Sequence, residues 1–186
     1  EKSLARLDCG YIDLYLIHWP LKDLRNDSWK AFIELQKRGL CRSKGVSNFT
    51  IDNLKELEEK YDVLPAINQV EFHPYHYQKE LLEYCNSKNI IIEAYSPLVH
   101  AKRMDEPRLM AISDELGKTP AQVLIRWAIQ RGMVVLPKSV NQDRIVENFA
   151  VFDFDISNSL MKRLDDLDER YVTCWDPHNP PPYAPV

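Results

Sequence analysis

Lys138 and Ser139 close a short apolar run at 133–137 and stand just before a helical pattern at 141–149. A lysine beside the first backbone N–H groups of a helix suits an anion. Arg144 lies six residues beyond Lys138, and Asn148 four beyond Arg144, so these two share one helix face. A second cation there suits a ligand with an extra phosphate, such as the 2′-phosphate of NADP. The plainer alternative is a solvated basic helix start. Ser47, Asn48 and Gln69 stand at the ends of two neighbouring apolar runs. Together they offer the donors and acceptors that a carboxamide such as nicotinamide needs, or they bond to one another. Tyr95 presents a flat face for stacking. His18 ends another apolar run, before Trp19 and Pro20. A neutral imidazole there can donate to a substrate oxygen, or it is a core histidine satisfied by backbone.

Other chemistries are less well served. His73 and His76 have H-x-x-H spacing, but Pro74 separates them and no cysteine or carboxylate stands at ligand spacing. No metal site is expected. His100 and His178 have no partner visible in the sequence. There is no G-x-S-x-G elbow for a serine nucleophile. Glu71 and Glu93 both lie in strand-like runs and could pair as in glycoside hydrolysis. That pairing explains neither Lys138, Ser139 and Arg144 nor Tyr95.

The elements that must hold these residues alternate. Strand-like runs are expected at 11–17, 44–49, 66–72, 90–96 and 133–137. Helical patterns are expected at 28–39, 50–60, 78–88, 106–117, 119–131, 141–149 and from Ser157. Thr119 and Pro120 form a helix start and Gly132 a stop. Apolar runs such as 90–92 predict strands covered on both faces. Only five glycines occur and no G-x-G-x-x-G, which disfavours an open dinucleotide-binding sheet. Polar residues at the end of every strand are instead the pattern of a (β/α) barrel. The fold class is therefore α/β: a partial (β/α)8 TIM barrel of five C-terminal βα units, a C-terminal helix and an irregular tail. Residues 1–170 form the incomplete barrel. Residues 171–186 form a tail with five of the twelve prolines.

Composition narrows the classes further. The 186 residues are 45% hydrophobic and 28% charged, with formal net charge −4. That balance gives no general attraction for nucleic acid. The longest apolar run, near 11–17, contains Asp13, so no membrane span is expected. Cys9, Cys41, Cys85 and Cys174 lie far apart, which reads as reduced thiols and a cytoplasmic location.

Three stretches resemble the C-terminal part of the aldo-keto reductase family: LDCGYIDLYLIHWP (7–20), GVSNF (45–49) with NQVEFHPY around Gln69, and LPKSVNQDRIVENF (136–149). AYSPL (94–98) and the helix at 119–131 match in kind and order. The resemblance implies NADPH-dependent reduction of aldehydes or ketones. By resemblance, His18 orients the substrate carbonyl, and Trp19 and Trp175 line the substrate pocket. Ser47, Asn48 and Gln69 hold the nicotinamide carboxamide, and Tyr95 stacks on its ring. Ser96 and Leu98 lie along the pyrophosphate. Lys138, Ser139 and Arg144 bind the 2′-phosphate, while Glu147 and Asn148 touch adenine. The partner is a small carbonyl compound, and the full-length protein is expected to be a monomer.

Departures from the family are Lys44, where an apolar residue is usual and the strand at 44–49 is expected to suffer, and His100, where a small polar residue is common. The segments 21–28 and 99–106 are short, which predicts an open pocket. The family's acid tyrosine, its lysine and its aspartate fall on earlier strands. The expectation is a partial sequence with about 80–100 residues upstream on the barrel's length scale, and little activity in these 186 residues alone. The alternative is a truncated, non-catalytic NADP-binding or regulatory chain.

Overall fold

A computed structural model describes residues 1–177. His178 and most of the proline-rich tail lie outside the described residues. The order of elements is α1 (Lys2–Leu7), β1 (Ile12–Ile17), α2 (Arg25–Lys37), β2 (Cys41–Ser47), α3 (Ile51–Tyr61), β3 (Ile67–Glu71), α4 (Lys79–Ser87), β4 (Ile91–Tyr95), α5 (Pro107–Leu116), α6 (Pro120–Gln130), β5 (Val134–Leu136), α7 (Gln142–Phe149) and α8 (Asn158–Asp165). A single 3-10 turn, Val99–Ala101, follows β4. The strands form one five-stranded sheet in the chain order β1-β2-β3-β4-β5. The resolved ladders β1·β2, β2·β3 and β4·β5 are parallel. Helices between parallel strands are what crossover connections require.

The chain divides into two compact units. The first consists mainly of Glu1–Val70 and Glu80–Ile91. Its core gathers Trp29, Val46, Phe49, Leu54, Leu57 and Cys85, all at most 1% exposed. Helix α3 starts at a capping box in which Thr50 accepts from the Asn53 amide and Asn53 accepts from the Thr50 amide. Strand β2 begins three residues earlier than its apolar run because Cys41 and Ser43 pair with Ile12 and Leu14. It ends before Asn48, whose φ of 63° is left-handed. Lys44 does not disturb it. The ammonium donates to Gln36 Oε1 and sits 5.5 Å from the Trp29 ring centroid, so a 7%-exposed lysine keeps a partner inside a continuous strand.

Gly45 shows why that strand tolerates no side chain. A Cβ there would stand 2.6 Å from Leu16 Cδ2 and 2.8 Å from the Ile67 carbonyl oxygen. The carbonyl belongs to the neighbouring strand and cannot swing aside. Gly45→Ala is expected to lower unfolding free energy by about 1–3 kcal/mol, measured by denaturant titration.

Glu56 ties α2 to α3. It accepts from Lys60 Nζ at 2.6 Å, Asn26 Nδ2 at 2.8 Å and Arg25 Nε at 2.9 Å. These donors hold its carboxyl at about 2. A depressed folded-state value contributes stability that is complete above the ordinary 4.5 and is lost as pH falls toward 2. Glu56→Gln is expected to cost on the order of 1–3 kcal/mol at neutral pH, with the difference from wild type closing between pH 4.5 and 2. Denaturant titrations at a series of pH values read both.

The second unit consists of Glu71–Lys79 and Ile92–Trp175. Its centre is Trp127 on α6, fully buried, with the Tyr77 ring at 5.3 Å and Phe72 at 5.9 Å. Helix α6 starts as expected: Thr119 caps it, Gln122 completes the box and Pro120 sits in the first turn. Gly132, at φ 79°, lies just past its end. The expectation of strands covered on both faces holds only in part. Ile90 and Ile92 are buried, but Ile91 between them is 47% exposed, and Val134 and Leu136 of β5 are 43% and 40% exposed. Strand β5 is also shorter than its run: the Met133 amide still bonds to Ala128 on α6, and Pro137 has no amide to donate.

Candidate functional site

In the first unit, the C-terminal ends of β1, β2 and β3 bring His18, Ser47, Asn48 and Gln69 into one hydrogen-bonded group. Ser47 Oγ donates to the Gln69 carbonyl at 2.7 Å, and the Asn48 amide donates to the same oxygen at 2.9 Å. Asn48 Nδ2 donates to the His18 carbonyl at 3.1 Å and to Ser47 Oγ at 3.1 Å. Ser47 and Asn48 are 2% and 4% exposed, so the edge is built, not a solvated loop. Beneath it, Asn68 braces the turn: its Oδ1 accepts from the Phe49 amide and its Nδ2 donates to the Phe49 carbonyl at 2.9 Å. The His18 side chain is exposed where Ile17 is buried. It is therefore not a core histidine. Trp19 follows, partly exposed.

In the second unit, Tyr95 ends β4 half-buried, and burial pushes its hydroxyl well above the usual phenol range. The loop beyond it is unusual. Ser96, Val99, His100 and Ala101 all have positive φ, between 50° and 60°. A β-branched valine in that region costs on the order of 1–2 kcal/mol, and such strain clusters where a backbone must meet a ligand. Ser96 Oγ lies 2.9 Å from His100 Nε2 and 3.5 Å from Cys174 Sγ. His100, which the sequence left without a partner, thus acquires one. Leu98 is partly exposed in the same loop, and Trp175 stands 41% exposed beyond Cys174.

The turn from β5 to α7 holds the basic residues. Lys138 is exposed. Ser139 Oγ accepts from the Asn141 amide at 3.1 Å, closing the turn. Asn141 caps α7 through Oδ1, which accepts from the Arg144 amide at 3.0 Å. Arg144 is exposed and Asn148 is 7% exposed, one turn apart. Glu147 turns toward α6, where its carboxylate accepts from Thr119 Oγ1 at 2.7 Å.

The sequence offers Glu71 only as a partner for Glu93 and His73 only in H-x-x-H spacing with His76, and the structure pairs them with each other instead. Glu71 is 3% exposed and accepts from His73 Nε2 at 3.0 Å, from the Thr173 amide at 2.8 Å and from the Cys174 amide at 3.0 Å. Burial raises its carboxyl, but these donors and the Thr173 hydroxyl bring it down to about 2. With Glu71 so engaged, a glycosidase pair with Glu93 has no support. The available signal was a carboxylate at the end of the strand-like run 66–72, two residues from a histidine. Among the described residues, no cluster of three or more histidine, cysteine, aspartate or glutamate side chains is arranged for a metal ion. Among them, too, no helix is long and apolar enough to cross a membrane.

Comparison with known proteins agrees with this arrangement. The family model described as Aldo/keto reductase family matches residues 1–169. The glyoxal reductase of Bacillus subtilis is 47% identical over 172 residues, which cover 91% of this chain and 62% of that protein. The methylglyoxal reductase DkgA of Salmonella typhimurium is 42% identical over 173 residues, covering 91% and 63%. A crystal structure of a Bombyx mori aldo-keto reductase in complex with NADP superposes with a TM-score of 0.84 at 33% identity, covering 92% of this chain and 62% of that one. The chain thus spans less than two thirds of the length of these relatives. Barrels of this kind place functional side chains at the C-terminal ends of their strands, where His18, Ser47, Asn48, Gln69 and Tyr95 stand. The chain belongs to the aldo/keto reductase family and has the partial-barrel fold that its strand ends imply.

Proposed function

We propose that this chain serves the NADPH-dependent reduction of small aldehydes and ketones, and holds the cofactor at its strand ends. The observation that carries the reading is the buried Ser47–Asn48 edge bonded to Gln69 and His18, since an amide-bearing ring needs donors and acceptors fixed in place. The exposed Lys138 and Arg144 about the β5–α7 turn suit a phosphate. NADPH, when bound, supplies the hydride. Ser47, Asn48 and Gln69 grip the carboxamide, and Tyr95 backs the ring so that one face meets the substrate. Ser96 and Leu98 follow the pyrophosphate. Lys138, Ser139 and Arg144 take the 2′-phosphate, and Glu147 and Asn148 the adenine. His18 donates to the carbonyl oxygen of the substrate and orients it. Trp19 and Trp175 offer apolar surface to the substrate.

The substrate class rests on the relatives' names, a glyoxal and a methylglyoxal reductase. Cys9 and Cys174, both free and exposed, support a cytoplasmic setting, and we read the protein as a monomer. We read residues 1–170 as the incomplete barrel and 171–186 as its proline-rich C-terminal tail, which carries Trp175.

Absorbance of NADPH in the presence of methylglyoxal tests the reading. Slow oxidation that needs both compounds is expected of these 186 residues, falling in His18→Ala by about 10²-fold, in the range of an electrostatic contact to a developing oxyanion. Binding with no turnover would instead make the chain a non-catalytic NADP-binding protein. Neither binding nor turnover by the folded chain would overturn the reading.

A further inference from the structure

The Glu71 carboxylate collects four donors, and three of them come from a segment 102 residues further along the chain: the Thr173 amide, the Thr173 hydroxyl and the Cys174 amide. The fourth is His73 Nε2, whose ring is fully buried. His73 Nδ1 is buried with no hydrogen-bond partner, so the imidazole's one polar contact is aimed at Glu71. A buried carboxylate with all its donors supplied is stable; one that loses them is costly. The segment after α8 has no helix or strand around Thr173 and Cys174 to fix it.

What that segment carries matters. Cys174 Sγ stands 3.5 Å from Ser96 Oγ and 3.7 Å from His100 Nε2. Trp175 is the next residue. Ser96 directly follows Tyr95. The two backbone amides gripped by Glu71 therefore fix a thiol against the strained loop beyond β4, with Trp175 next in the chain. We propose that Glu71, braced by His73, is the positioning residue for the Thr173–Trp175 segment, and that through Cys174 and Trp175 it sets which carbonyl compounds are admitted beside Tyr95. The anchoring stands on the contacts alone; the effect on substrates rests on the reductase reading above.

Amide hydrogen exchange on the full chain tests the anchoring without any ligand. In Glu71→Gln one side-chain donor must face the donors of the segment, and the charge assistance is gone. Exchange at Thr173 and Cys174 is expected to rise about tenfold or more, while Ala94 on β4 and Val123 on α6 stay protected. Unchanged exchange at Thr173 and Cys174, with that core protection intact, overturns the proposal. If Glu71→Gln does not fold, Thr173→Val removes only the hydroxyl donor; it should raise Cys174 exchange several-fold, and Thr173→Ser should restore it. A Thr173→Val chain that exchanges like wild type also overturns the anchoring.

For substrates, the expected result in Glu71→Gln is a changed ratio of kcat/KM between a bulky and a small carbonyl, carried by KM, with NADPH affinity unchanged. An unchanged ratio contradicts the substrate half. Absence of turnover in wild type removes the reductase reading and the substrate half with it, and leaves the exchange result to decide the anchoring.

Discussion

Trp127→Ala is expected to cost about 3–5 kcal/mol of unfolding free energy, a large part of what a domain of this size has. The indole is fully buried on α6 between Tyr77 and Phe72, with ring centroids at 5.3 and 5.9 Å. The Arg131 guanidinium lies over the Trp127 ring at 5.3 Å and over the Tyr77 ring at 4.8 Å. Trp127 Nε1 donates to Asp165 Oδ1 at 2.9 Å, which ties α6 to α8. Alanine removes the packing, opens a cavity that the surrounding rings cannot fill, and strips one donor from Asp165. Trp127→Phe separates the parts. It keeps most of the aromatic contact and loses the hydrogen bond, so about 1–2 kcal/mol is expected. Denaturant midpoints at unchanged slope read both values. A loss below 1 kcal/mol for alanine would mean that the second unit is not organised around this residue.

Lys138→Ala is expected to weaken NADPH binding about 10–100-fold while changing NADH binding little. The range is that of a hydrogen bond to a charged group, on the order of 1.5–3 kcal/mol, converted at 1.4 kcal/mol per decade. Lys138 stands exposed one residue beyond Pro137, with Arg144 in the first turn of α7 and Asn141 capping that helix. Arg144→Ala should act in the same direction. Equal loss for both cofactors would put Lys138 on the shared pyrophosphate instead of the 2′-phosphate. No loss for either would remove it from the site. The stability of both variants should match wild type, because the side chains are exposed, so a binding loss cannot be confused with unfolding.

Much of this arrangement is legible in the sequence, and the parts that are not share a physical cause. The runs at 11–17, 66–72 and 90–96 give β1, β3 and β4 within a residue at each end, because apolar strand patterns are local. Strand β2 is misjudged at its start because Cys41–Ser43 are held by their register with β1, a partner choice no local pattern encodes. The polar strand ends are visible one residue at a time, yet nothing local says that Asn48 reaches the His18 carbonyl 30 residues away. His18 itself is ambiguous until its exposure separates it from buried Ile17. Ser139 and Glu147 are readable as ligand contacts by resemblance; their bonds to Asn141 and Thr119 show that each also shapes the turn or helix packing that presents the others. Glu71 is the clearest case, since the sequence suggests only a pairing with Glu93. A carboxylate in an apolar strand is a sign of something, but its meaning lies with Thr173 and Cys174 at the far end of the chain. Lys44 errs the other way: an apparent defect in a strand is absorbed by Gln36 and the Trp29 face.

On the proposed function, these strand ends hold a nicotinamide cofactor bearing a 2′-phosphate. Fluorescence titration of the 186-residue chain with NADPH, and in parallel with NADH, tests it most directly. Saturable binding is predicted, tighter for NADPH by about tenfold or more and weakened for both by Asn48→Ala. A folded chain that binds neither cofactor, or binds both equally, would contradict it.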